Sequence, residues 1–138
     1  MQQTKRIHVH TDLDELPRVL EWFQGLSQAS VTTEDWMQCQ IALAEGFVNA
    51  VKHAHQALPS QTLIEIDLDF FPNHIEMRIW DHGPPFELMD NINAYTARIQ
   101  DEATSGRGLM LLQKIANELD YVRVDKHRNC LLLIKRRS

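Results

Sequence analysis

The sequence predicts an α+β two-layer sandwich, in which a mixed, mostly antiparallel sheet is covered on one face by helices. Two observations carry this expectation. The element order reads strand, two helices, two strands, a loop, a helix and two strands, which lacks the regular alternation of a doubly wound fold. Both later strand pairs are neighbours in sequence across compact turns, which favours antiparallel pairing.

Each element has a local reason. Lys5-Arg6-Ile7-His8-Val9-His10 alternates polar and apolar residues as a half-buried strand does, and Thr11-Asp12 follows as a stop or helix cap. Between Leu13 and Leu26, the residues Leu13, Leu16, Val19, Leu20, Phe23 and Leu26 recur in steps of three and four. An amphipathic helix follows, with Pro17 near its start, where proline is tolerated. Thr32-Thr33-Glu34-Asp35 combines cap residues with acids that suit the positive end of a helix dipole, so a second helix should run from there to about His55. Its apolar residues Trp36, Met37, Ile41, Leu43, Phe47, Val48 and Val51 cover more than one stripe, which predicts a central and largely buried helix.

Leu63 to Phe71 and Ile75 to Trp80 read as a hairpin turning at Pro72-Asn73-His74. After Asp81, His82-Gly83-Pro84-Pro85-Phe86 ends regular structure, and weak periodicity through Ser105 predicts a mobile segment. Gly106-Arg107-Gly108 then opens a third helix over Leu109 to Ala116, and glycine ahead of a helix N-terminus suits phosphate. Tyr121 to Val124 and Cys130 to Ile134 form a final strand pair.

Composition excludes several classes. One domain covering residues 1–138 is expected, with 43% hydrophobic and 24% charged residues, as ordinary globular proteins have. A net charge of −5 disfavours the broad basic surface of a nucleic-acid binder. The basic residues Lys126, Arg128, Lys135, Arg136 and Arg137 are read as a solvated strand end. Cys39 and Cys130 have no metal-site or disulfide-scaffold spacing, and neither a signal-peptide core nor a membrane-length apolar run is visible. A cytoplasmic protein without membrane contact is expected.

The chemistry lies in Glu45, Asn49 and His53, spaced four residues apart within Ala42 to Ala54. At that spacing a carboxylate, an amide and an imidazole share one helix face. Buried without partners, such groups cost roughly 2–7 kcal/mol each, so they find protein partners or face a cavity that takes a ligand or metal. Neither GxxxxGK[ST] nor a strand-following GxGxxG is present, so a nucleotide would bind in some other way. Taken singly, the row could be a solvated helix face, Asp81-His82-Gly83 a turn, and the glycines near 106 a loop.

Taken together and in order, Glu45 to His53, Asp81-His82-Gly83 and Ser105-Gly106-Arg107-Gly108-Leu109 resemble the N, G1 and G2 boxes of the GHKL ATPases, the superfamily of gyrase, Hsp90, histidine kinases and MutL. The resemblance implies the Bergerat ATP-binding fold. Within the superfamily the chain is most similar to the small bacterial anti-sigma factor serine/threonine kinases, over nearly its whole length.

That resemblance implies a site. Glu45 would be the general base for an attacking serine hydroxyl, and Asn49 would ligate the Mg²⁺ that bridges the phosphates. His53 would support the same face. Asp81 would accept the adenine amino hydrogen, Gly83 would let the base approach the backbone, and Phe86 would follow in the Pro-Phe form seen in small kinases. Ser105, Gly106, Arg107, Gly108 and Leu109 would form the phosphate-binding box, with an ATP lid over about 84–105. An arginine expected before Ser105 is replaced by Thr104, leaving Arg107 or Arg98 as sources of that charge. Cys130 and Leu131 stand where a threonine commonly helps hold the adenine.

The implied activity is ATP-dependent phosphorylation of a serine on an anti-anti-sigma (STAS-domain) partner, with a capacity to hold a sigma factor and with homodimerisation. The alternative is a non-catalytic module that senses ATP or ADP. A split histidine kinase ranks low, because no dimerisation helix with a phosphoacceptor histidine precedes the domain.

Overall fold

A computed structural model describes residues 4–26, 30–55, 57–84 and 106–138 of the chain, with side chains in the last stretch from 110 onward. Strand β1 (Lys5–His10) leads through a 3-10 turn (Leu13–Glu15) into α1 (Leu16–Gln24), and α2 (Thr33–Asn49) continues into a π-helical turn (Ala50–Ala54). Strands β2 (Leu63–Phe70) and β3 (His74–Asp81) form the hairpin. After them come α3 (Gly106–Ile115), β4 (Glu118–Arg123) and β5 (Asn129–Arg136).

Five strands make one sheet in the order β1-β2-β3-β5-β4, and all four pairings are antiparallel. The expected two-layer α+β architecture is present, with the correction that no parallel pair makes the described sheet mixed. Alternation decides which face is covered. On β3, Ile75, Met77, Ile79 and Asp81 are buried while His74, Glu76, Arg78 and Trp80 are only half-buried. Ile75, Met77 and Ile79 meet Phe23, Leu43, Phe47 and Leu112 from the helices in a single core. Phe23 stacks on Trp36 at 4.3 Å, tying α1 to α2.

The second helix departs from expectation in two ways. Met37 and Ile41 are 59% and 41% exposed, so α2 buries one side and leaves an apolar edge open. Its α-helical part also stops at Asn49. The His55 N–H donates to Ala50 O at 2.8 Å, an i to i+5 bond that widens the last turn. At the other end, Thr32 Oγ1 accepts from Asp35 N–H at 3.1 Å, as the cap pattern predicted.

Gly46 sits where α2 crosses the sheet. A Cβ there would stand 2.4 Å from Ile79 Cδ1, so the missing side chain sets how closely helix and strand approach. The uncovered sheet face carries paired charges, with Arg6 Nε on Asp67 Oδ1 and Arg78 Nη1 on Asp69 Oδ2, each at 2.7 Å. Part of the C-terminal basic cluster is structural rather than solvated. Arg137 donates to Phe71 O at 2.8 Å and to Ser30 O at 2.6 Å, and Arg128 lies 4.8 Å over the Trp80 ring.

Candidate active site

The end of β3 holds the best-defined polar cluster. Strand alternation turns Asp81 toward the helix layer, where it is only 2% exposed, and three donors converge on its carboxylate. Oδ1 accepts from Gly83 N–H at 2.8 Å and from Asn129 Nδ2 at 3.0 Å, while Oδ2 accepts from the Tyr121 hydroxyl at 2.7 Å. Two lone pairs per oxygen make four acceptor positions, so Oδ2 keeps one for a further donor. An exocyclic amino group supplies such a donor.

The turn after Asp81 is fixed from several sides. Asn129, fully buried, also donates to Gly83 O and Pro84 O, each at 3.1 Å. Arg123 Nη1 donates to Gly83 O at 2.9 Å. Gly83 itself presses on the π-helical turn: a Cβ would lie 2.5 Å from Ala54 O and 3.1 Å from Ala54 C. Close approach of the Ala54 backbone therefore explains this glycine within the fold.

His55 closes the cluster. Its imidazole is 2% exposed and its Nε2 accepts the His82 N–H at 2.8 Å. A ring nitrogen that accepts carries no proton, so the neutral ring holds its hydrogen on Nδ1. Nδ1 is buried without a hydrogen-bond partner among the described residues, which costs about 1–3 kcal/mol. Burial pushes the His55 pKa below its usual value, Asp81 opposes that and His82 adds to it.

Glu45, Asn49 and His53 are all half-buried, so the row borders the interior without being sealed in it. Glu45 and Asn49 stand one α-helical turn apart. His53 lies in the π-helical turn that follows α2. Helix α3 starts at Gly106 and packs beside α2, putting the glycine box at a helix N-terminus as expected. Phe86, Arg98, Thr104 and Ser105, the lid over 85–105, and the side chains of Arg107 and Leu109 lie outside the described residues.

Cys130 pairs with Trp80 on the uncovered face and Leu131 with Ile79 on the helix face, so neither supplies a polar group to Asp81. Tyr121 and Asn129 do, and sequence reading missed both. The only available signal was the place of Asn129 at the start of β5 after a turn; Tyr121 lies inside β4. Burial drives the Cys130 and Cys39 thiols up to about 12, which leaves them inert.

The sequence profile of the histidine kinase-like ATPase domain matches residues 9–135 of this chain. The chain belongs to this family. Among curated relatives, the serine-protein kinase RsbW of Staphylococcus aureus strain bovine RF122 / ET3-1 is 28% identical over 98 residues, covering 67% of this chain and 62% of the relative. RsbW of strain MRSA252 matches to the same extent. The chain thus spans about 62% of the length of these relatives.

For a histidine kinase-like ATPase domain the described residues fit a nucleotide better than a resident metal. No group of three or more His, Cys, Asp or Glu side chains is placed to hold a metal ion among the described residues. Mg²⁺ carried by nucleotide phosphates needs only one or two protein oxygens, and the Asn49 amide can offer one. The spare acceptor position on Asp81 suits the base. No helix among the described residues is long and apolar enough to cross a membrane.

Proposed function

We propose that this histidine kinase-like ATPase domain binds Mg-ATP and acts as a protein serine/threonine kinase of the anti-sigma type, phosphorylating a serine on a STAS-domain anti-anti-sigma partner. Holding a sigma factor and assembling as a homodimer belong to the same reading. The observation that carries the nucleotide half is the buried Asp81 carboxylate with one acceptor position left over, set in a turn that Asn129 and Arg123 clamp. The kinase half is supported by Glu45 and Asn49 one helical turn apart on α2, and by likeness to proteins named serine-protein kinase RsbW.

In this reading Asp81 takes the adenine amino hydrogen, and backbone N–H groups at the start of α3 receive the phosphates where the helix dipole favours negative charge. Asn49 offers its amide oxygen to Mg²⁺, which when bound neutralises charge on the phosphates. Glu45 orients the partner's serine hydroxyl and accepts its proton as the serine oxygen bonds to the γ-phosphorus and the bond to ADP breaks. Arg107 supplies positive charge near the transferred group. Residues 84–105 serve as the lid.

Incubation with labelled ATP, Mg²⁺ and candidate STAS proteins tests the proposal. Transfer to one partner, lost in Glu45→Ala, is expected. Nucleotide binding without transfer to any cognate partner counts against the kinase and favours a nucleotide-sensing module, the reading that Thr104 in place of arginine motivates. Partner binding that stays nucleotide-dependent in Glu45→Ala separates that module from an inactive protein.

A further inference from the structure

The buried imidazole of His55 lies two residues past the Glu45 to His53 row and holds the turn that carries Asp81. Its Nε2 accepts the His82 N–H at 2.8 Å from a ring only 2% exposed. Two residues of the turn are fixed from opposite sides, His82 by this bond and Gly83 by Asn129 and Arg123. The Nδ1–H remains unpartnered among the described residues, so the hydrogen bond contributed by this ring is the one at Nε2.

We infer that His55 is a positioning residue for adenine recognition, and that only its neutral ring, with the proton on Nδ1, holds the Asp81-His82-Gly83 turn in the binding geometry. The inference rests on the nucleotide reading of Asp81. Protonation puts hydrogen on Nε2 and sets N–H against N–H, so the turn loses its tie to the end of α2. Acid should therefore weaken nucleotide binding at a residue that never touches the nucleotide.

The titratable and charged groups around His55 come from three elements. Asp81 and His82 face it from the end of β3, favouring and disfavouring its protonation respectively. Tyr121 and Arg123 of β4 stand behind them, bonded to Asp81 Oδ2 and Gly83 O. Lys52 and His53 share its own turn. The His82 ring is the obvious confounder, lying 6.2 Å from the His55 ring and exposed.

The test compares ADP affinity from pH 7.5 to 5.5 for the unaltered chain, His55→Gln and His82→Gln. Glutamine keeps an acceptor near the Nε2 position and does not titrate. The unaltered chain and His82→Gln should lose roughly three- to tenfold more affinity on acidification than His55→Gln, the value of one hydrogen bond. Because ADP titrates alike in all three, the difference belongs to the protein. Equal pH slopes for the unaltered chain and His55→Gln, or a slope removed by His82→Gln, overturn the inference.

NMR of the unaltered chain decides it without nucleotide. The His55 ring nitrogens should report the Nδ1–H form at pH 7.5, and the exchange protection of the His82 amide should fall as His55 titrates. An Nε2–H form, or protection that ignores the titration, refutes the inference. Absence of ADP and ATP binding at every pH would instead defeat the nucleotide reading, and the NMR result would still judge His55.

Discussion

Asp81 concentrates the cost and the use of this site in one side chain. A carboxylate that is 2% exposed would be costly to bury unpaired, and a backbone amide, a phenol and an amide side chain satisfy it. Asp81→Asn keeps the shape but replaces an acceptor with a donor, so it should largely abolish the stabilisation given by Mg-ATP, read as a thermal shift. Tyr121→Phe leaves Oδ2 short of its donor and should lower unfolding free energy by about 1.5–3 kcal/mol in urea titrations, the range for bonds to charged groups.

His55 makes stability depend on pH with a definite sign. Its pKa when folded lies below the unfolded value near 6.5, so in the window between the two the unfolded chain binds more protons. Stability from this group is complete above about pH 6.5, declines as pH falls toward the folded value and levels off beneath it. Urea midpoints measured across that range should fall further for the unaltered chain than for His55→Gln.

Among elements, the junction of α2 with its π-helical turn matters most. The α-helical part is stable by its own devices, with Thr32 capping it, Glu34 and Asp35 in its first turn, and Leu43 and Phe47 in the core. The π turn is not self-explanatory in the same way. It is held by contact with the β3 turn, through Ala54 against Gly83 and His55 against His82. Gly83→Ala should therefore push these elements apart, costing about 1–3 kcal/mol of stability and weakening nucleotide binding beyond what that loss explains. Calorimetric titration of the folded variant checks the second effect.

For the whole molecule, a ligand that binds only the folded state stabilises it by mass action. Mg-ATP at about 100 times its dissociation constant should add about 2.7 kcal/mol, visible as a rise in melting temperature that Asp81→Asn lacks. An unmoved melting temperature in the unaltered chain would remove the nucleotide from the account. The α2 end meets the β3 turn through Ala54 against Gly83 and His55 against His82, and α3 packs beside α2.

The sequence by itself determined the elements and their order. Alternation in Lys5–His10 and His74–Asp81, the cap at Thr32 and the three-and-four spacing of α1 are local signals, and local hydrogen bonding and burial enforce them. Motif order made the ATPase family legible before any geometry. Tertiary structure alone decided which groups surround Asp81, because Tyr121 and Asn129 reach it from β4 and β5 across pairings 40 and 48 residues apart in the chain. It also decided that α2 ends in a π turn and that His55, given no role by the motifs, grips His82. Hydrogen bonds between remote segments follow from how the sheet is registered and the helix laid across it, and no periodicity within either segment encodes that meeting.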